Sequence, residues 1–224
     1  MNYKIILASN SPRRKELLAG LDIPFEVKVI KGIDESYPET LDAYEVAEYI
    51  SSKKAEAYRG LLDEEPGEEA VQTLILTADT VVIAPAADVQ NDQEGKGVIL
   101  GKPKDEEDAV RMLRMLSGKT HHVVTGVCLT TRSQQRHFSV TTEVTFKHLS
   151  DAEISYYISH YKPFDKAGAY GIQEWIGYGQ SRHDSFGKAH LPFLAYCHNA
   201  DPDVCDWTRV CDWQQVGLDV FVVE

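Results

Sequence analysis

Four polar residues crowd the point where the first predicted strand runs into the first predicted helix: Ser9, Ser11, Arg13 and Arg14, in LASNSPRRKELLAG (Leu7 to Gly20). The N-terminus of a helix presents unpaired backbone N–H groups and a partial positive charge, so it stabilises an anion without any special side chain. Arginines in the first turn oppose the usual acidic preference there, and their forks match phosphate oxygens bidentately. Two readings fit: a phosphate-binding turn, or a Ser11 cap followed by solvated arginines.

Other residues supply complementary chemistry. Asp79 lies inside the apolar run TLILTADTVVI, where an aspartate has poor strand propensity and is costly to bury unless paired or bound to a metal. Lys54 falls on the apolar face of a predicted helix, the position of a snorkelling lysine or of a buried cation. Lys102 in LGKPKD and Lys166 in FDKAGAYG stand beside Pro or Gly in loop-like sequence, where binding residues concentrate. Gly168 and Gly171 around Tyr170 imply a tight backbone approach, and the Gln173 amide can read a base edge or a phosphate. A carboxylate plus several cations is the inventory for hydrolysing a phosphoanhydride: cations and a divalent metal neutralise the oligophosphate while the carboxylate binds the metal or activates water. No GxxxxGK[ST] loop, GxGxxG fingerprint or GxSxG elbow is present, and the eight histidines show no HExxH spacing.

These residues need a scaffold. Lys4 to Ala8 reads as a buried strand and Arg13 to Leu21 as a helix, with Ser11 as cap, Pro12 in the first turn and Gly20 closing it. Apolar or small residues from Leu41 to Leu61 recur at the spacing of one helix face. An acidic loop, Asp63 to Glu69, precedes the strand Thr73 to Ile83, and a hairpin connection is expected over Ala84 to Gly97. Pro103 and Asp105 open a helix with the stripe Ala109, Met112, Leu113, Leu116, and HHVVTGVCLTT follows as a strand. Phe138, Val140, Thr142, Val144 and Phe146 alternate with polar residues, and Ser150 with Glu153 forms a capping box for a helix ending near Pro163. Strands mixed with helices give an α/β class with a partly antiparallel sheet.

Composition sets outer bounds. With 224 residues, 43% hydrophobic and 26% charged, the chain is long enough to bury a core. A formal charge of -12 argues against nucleic-acid polymers as partners. Apolar runs fall far short of the ~20 residues a membrane span needs, so a cytoplasmic protein is expected. The four cysteines include no CxxC pair, consistent with a reducing compartment.

LASNSPRRKELL, the second lysine of SSKKA, TADTVV, LGKPKD, LSGKTHHVVTGV and FDKAGAYGIQ stand in an order and spacing that resembles the Maf family of nucleoside triphosphate pyrophosphatases, over roughly residues 3 to 178. The resemblance implies a mixed α/β fold of two lobes around a deep cleft, related to the ITPase-like enzymes. It implies cleavage between the α and β phosphates, dependent on Mg²⁺ or Mn²⁺. By motif, Asp79 matches the catalytic base; Ser9, Arg13, Arg14, Lys54, Lys102, Lys166 and Gln173 match substrate-binding positions; Glu35, in GIDES, matches an acidic position that helps Asp79 hold metal. Arg13, Thr80 and Gln173 resemble the branch that prefers dTTP and UTP over the branch that prefers 7-methyl-GTP. A nucleoside triphosphate is the expected partner, a homodimer is allowed, and a nucleotide sensor acting in cell division is the non-catalytic alternative. The segment 179–224 departs from the family pattern: it holds three of the four Cys and two of the three Trp, lacks a clean period, and reads as a diverged or frameshifted end.

Overall fold

The runs Lys4 to Ala8 and Thr73 to Ala84 carry apolar residues on both faces, and both become largely buried interior strands. In the computed structural model, which describes residues 3–63, 72–85, 97–172, 174–178, 182–183, 189–190 and 195–198, β1 (Tyr3–Leu7) runs parallel to both β2 (Phe25–Val27) and β3 (Gln72–Ala84). Side chains alternate across a strand, so the two faces of this pair are lined by different residues. Ile5, Leu7, Leu74 and Leu76 pack with Leu18 of α1 (Pro12–Ala19) on one face. Ile6, Ala8 and Ile75 pack on the other with Tyr58, which follows α2 (Val46–Ala57), and with Leu62 of α3 (Gly60–Asp63).

The sheet continues through β4 (Val98–Leu100), β5 (Thr120–Thr130), β6 (Gln135–Phe146) and β9 (Ala195–His198), in the order β2-β1-β3-β5-β6-β9 with β4 paired antiparallel to the end of β3. β6 and β9 are also antiparallel, so the sheet is mixed and the α/β expectation holds. A two-stranded ribbon joins β7 (Arg182–His183) and β8 (Ala189–His190). The segment that sequence alone could not place thus contributes these short strands; the rest of 179–224 lies outside the described residues, as do most of the acidic loop and of the hairpin connection.

The chain divides into two compact units, and β3, β5 and β6 each pass from one into the other. The first contains the described residues up to Thr80 together with Thr125–Val140; the second contains Val81–Val124 and the described residues from Thr141 on. In the second unit the expected stripe Ala109, Met112, Leu113 and Leu116 is fully engaged on the buried side of α4 (Glu106–Leu116), whose N-cap Asp105 accepts from the Asp108 N–H at 2.8 Å. The capping box of Ser150 and Glu153 starts α5 (Asp151–Tyr161), and Lys162 closes it in the left-handed conformation. Burial pushes the Glu153 carboxyl up, but hydrogen bonds from Lys147 and Ser150 outweigh it and leave the group below its ordinary value. His121 on β5 is buried against Phe146 and Tyr170, and desolvation, with His122 next to it, pushes its pKa down to about 3.

Two element boundaries differ from the sequence reading. The helix expected from Leu41 begins only at Val46, because the Asp42 carboxylate accepts from the Tyr44 N–H at 2.9 Å and holds a turn there. α1 stops at Ala19, two residues before Leu21, with the Gly20 N–H bonded back to the Glu16 carbonyl at 2.9 Å.

Candidate active site

Three consecutive residues of β3 organise the first unit's polar cluster. Strand alternation turns Ala78 and Thr80 toward α1 and Asp79 toward α2. On the α1 side, Arg14 donates from Nη1 to the Ala78 carbonyl at 2.7 Å and from Nη2 to the Thr80 hydroxyl at 3.1 Å. The same Nη1 lies 3.4 Å from the Ser9 hydroxyl, which also accepts from the Ser11 N–H at 3.2 Å. Ser11 caps the helix as expected, accepting from the Arg14 N–H. The Thr80 hydroxyl is further engaged by Thr125 at 3.1 Å. Arg14 is therefore not a solvated first-turn arginine: it staples α1 to β3.

On the α2 side, Lys54 Nζ sits 2.6 Å from Asp79 Oδ1 and 3.0 Å from Glu35 Oε1. Lys54 and Asp79 side chains are each only 14% exposed, which makes this a shielded pair rather than a surface one, whereas Glu35 is 51% exposed. The snorkelling alternative for Lys54 fails, because its ammonium turns to carboxylates instead of water. The neighbouring Lys53 holds the loop that carries Glu35: its ammonium donates to Asp34 Oδ2 at 2.7 Å and to the Ser36 carbonyl at 2.8 Å. Hydrogen bonds from Lys53 and Ser36 keep the Asp34 carboxyl well below the usual carboxylate range.

α2 can deliver Lys54 only because it lies almost on the backbone of β5. A Cβ on Gly126 would stand 2.3 Å from the Ala47 carbonyl, so no side chain fits there. Thr77 reinforces the contact by donating to the Ser51 carbonyl at 2.8 Å, and Glu48 on α2 meets His137 at 2.5 Å. Gly126 and Thr77 were not singled out by sequence reasoning, although a glycine within a strand signals such a close approach.

The second unit holds a separate group. Lys166, 8% exposed, contacts Asp165 at 2.8 Å and Glu174 at 3.0 Å. Gly168 adopts φ +66 in the 3-10 turn Ala167–Ala169, and its N–H donates to the Gly101 carbonyl at 3.0 Å. That bond ties the Lys166 turn to the LGKPKD loop, which carries Lys102. Lys102 is exposed and Arg13 half-buried, and among the described residues neither has a hydrogen-bond or ion-pair partner. Gln173 lies outside the described residues.

Two hard carboxylates, Asp79 and Glu35, flank a space that a cation, the Lys54 ammonium, already fills. This suits Mg²⁺ or Mn²⁺, which take one or two protein carboxylates and complete their shell with phosphate oxygens and water. Among the described residues no group of three or more His, Cys, Asp or Glu forms a metal cage. No helix among the described residues is long and apolar enough to cross a membrane.

The sequence profile of the family described as "Maf: Maf-like protein" matches residues 4–184. A dTTP/UTP pyrophosphatase of Phocaeicola vulgatus is 58% identical over 176 residues, covering 79% of this chain and 82% of that protein. One of Porphyromonas gingivalis is 55% identical over 178 residues, covering 79% and 80%. Among solved structures, the Staphylococcus aureus Ham1 protein overlaps with a TM-score of 0.37 at 16% identity, over 64% of this chain and 71% of that one, too loosely to bear on the fold. The motifs from the Ser9 turn to the Lys166 turn all lie within the matched span, and on that match the chain belongs to the Maf-like protein family.

Proposed function

We propose that the chain hydrolyses nucleoside triphosphates, dTTP and UTP foremost, to the nucleoside monophosphate and pyrophosphate. The observation that carries this reading is a shielded carboxylate, Asp79, pressed against a shielded ammonium, Lys54, on the segment of β3 that Arg14 grips from the opposite face. Supporting it, the relatives at 55–58% identity carry the name dTTP/UTP pyrophosphatase.

In the reaction, Asp79 takes a proton from water as the water oxygen bonds to the α-phosphorus. The bridging oxygen between α and β phosphorus keeps the electron pair of the broken bond and departs with pyrophosphate. Lys54 orients Asp79, while Arg13 and the α1 N-terminus with Ser9 face the developing phosphate charge and Arg14, bonded to Ala78 and Thr80, holds that terminus against β3. Lys102 and Lys166 hold further phosphate oxygens. Asp79 and Glu35 would hold the divalent ion, which when bound supplies charge neutralisation of the oligophosphate. Arg13, Thr80 and Gln173 set the preference for a pyrimidine base, Thr80 acting with Arg14, to which its hydroxyl is bonded. The enzyme works in the cytoplasm on free nucleotides.

The test is a panel of dTTP, UTP and 7-methyl-GTP with Mg²⁺, with all phosphate products quantified. Monophosphate and pyrophosphate should appear in equal amounts from dTTP and UTP. Orthophosphate with a diphosphate would refute the cleavage position, and a higher kcat/KM for 7-methyl-GTP would refute the base preference. Calorimetric binding of dTTP without turnover would replace the enzyme with a sensor.

A further inference from the structure

A lysine that is to meet a phosphate must be held where the phosphate arrives, and a flexible four-carbon stem does not do this by itself. Lys166 has two carboxylate neighbours of different character. Asp165 is 59% exposed, so its attraction is weakened by solvent. Glu174 is 23% exposed and built into a network: Oε1 contacts Lys166, and Oε2 accepts a hydrogen bond from the Tyr157 hydroxyl. Tyr157 is fully buried on α5, and its oxygen also accepts the Gly171 N–H at 3.0 Å. A Cβ on Gly171 would fall 3.1 Å from Glu174 Cδ and 3.2 Å from Lys166 Cε, so glycine lets the carboxylate and the lysine stem close together without either giving way. Every polar atom along this path, from Lys166 through Glu174 and Tyr157 to the Gly171 backbone, is committed to the next.

We propose that Glu174, anchored by Tyr157, is a positioning residue that fixes the Lys166 ammonium for the oligophosphate. The inference rests on the assignment of Lys166 to phosphate binding above. Glu174 touches no substrate; it acts through Lys166. Removing the carboxylate frees the lysine stem, so substrate capture suffers while proton transfer at Asp79 does not. Glu174→Ala raises KM for dTTP by roughly 10-fold, the size expected from one lost hydrogen bond to a charged group, with kcat little changed. Glu174→Gln, which keeps an acceptor for Lys166 or Tyr157, recovers most of this.

The decisive experiment is a cycle of Glu174→Ala, Lys166→Ala and the double variant, followed by pyrophosphate release and by the rate at which acetic anhydride labels Lys166 in the nucleotide-free protein. Coupling through the lysine predicts that Glu174→Ala has less than a ~2-fold effect on KM once Lys166 is gone, since contacting residues are non-additive. It also predicts faster labelling of Lys166 in Glu174→Ala than in the parent chain. Equal KM losses in both backgrounds, or unchanged labelling, would overturn it. The labelling needs no turnover, so a parent chain that released no pyrophosphate would count against the proposed function while the positioning of Lys166 was still decided.

Discussion

Two lysines in this molecule are built almost alike. Lys54 in the first unit and Lys166 in the second are both shielded, and each lies between one protected and one exposed carboxylate: Asp79 and Glu35 for the first, Glu174 and Asp165 for the second. The difference lies in the protected partner. Glu174 has both oxygens committed, one to Lys166 and one to Tyr157. Asp79 gives one oxygen to Lys54, and among the described residues its other oxygen has no hydrogen-bond partner. A carboxylate with a free oxygen can take a proton from water; a saturated one can only hold its neighbour. In the proposed reaction the same charge pattern serves chemistry in one place and positioning in the other.

The sharpest way to break the comparison is to remove the free oxygen. Asp79→Asn should lower kcat by ~10²–10⁴-fold, the range for a lost general base. A chelator should likewise abolish turnover in the parent chain, restored by excess Mg²⁺, if Asp79 and Glu35 hold a divalent ion. Next come the glycines that let each cluster close. Gly126→Ala, whose Cβ meets the Ala47 backbone at 2.3 Å, should destabilise the chain by ~3 kcal/mol in urea unfolding, the upper end for overpacking. Gly171→Ala meets side-chain atoms at 3.1–3.3 Å, which can shift, so its cost should be smaller and appear mainly as raised KM.

His121 separates the second unit's packing from its chemistry. Its pKa is pushed down to about 3 in the folded chain, so below the unfolded value of ~6.5 only the unfolded state gains the proton. Stability should therefore fall as pH drops from about 6.5 toward 3, by up to ~1.4 kcal/mol per unit from this group, and a His121→Phe variant should show a shallower acid slope in thermal melts. The smallest effect belongs to the α1 cap: Ser11→Ala should cost ~1 kcal/mol of stability.

Much of this was legible in the residues themselves. Asp79 stood out because a charge in an apolar strand demands a partner, and the Ser11 cap and the Ser150–Glu153 box follow from local rules that tertiary contacts did not override. Lys54 was visible only as a polar interruption of an apolar face, and its pairing with Asp79 depends on α2 lying close on β5, which Gly126 permits. Arg14 looked like a ligand-facing cation, yet two of its hydrogen bonds go to β3, more than 60 residues away in the chain. Glu174 carried no signal of its own, because an exposed-looking acidic residue after a turn gains meaning only when Tyr157 arrives from α5.

The contrast between the two protected carboxylates is measured most directly by the single-turnover rate of dTTP cleavage at saturating nucleotide for Asp79→Asn beside Glu174→Gln. Asp79→Asn should be slower than the parent chain by at least ~100-fold and Glu174→Gln within ~3-fold of it. Equal losses in the two variants, or a larger loss in Glu174→Gln, would contradict the division of labour between chemistry and positioning.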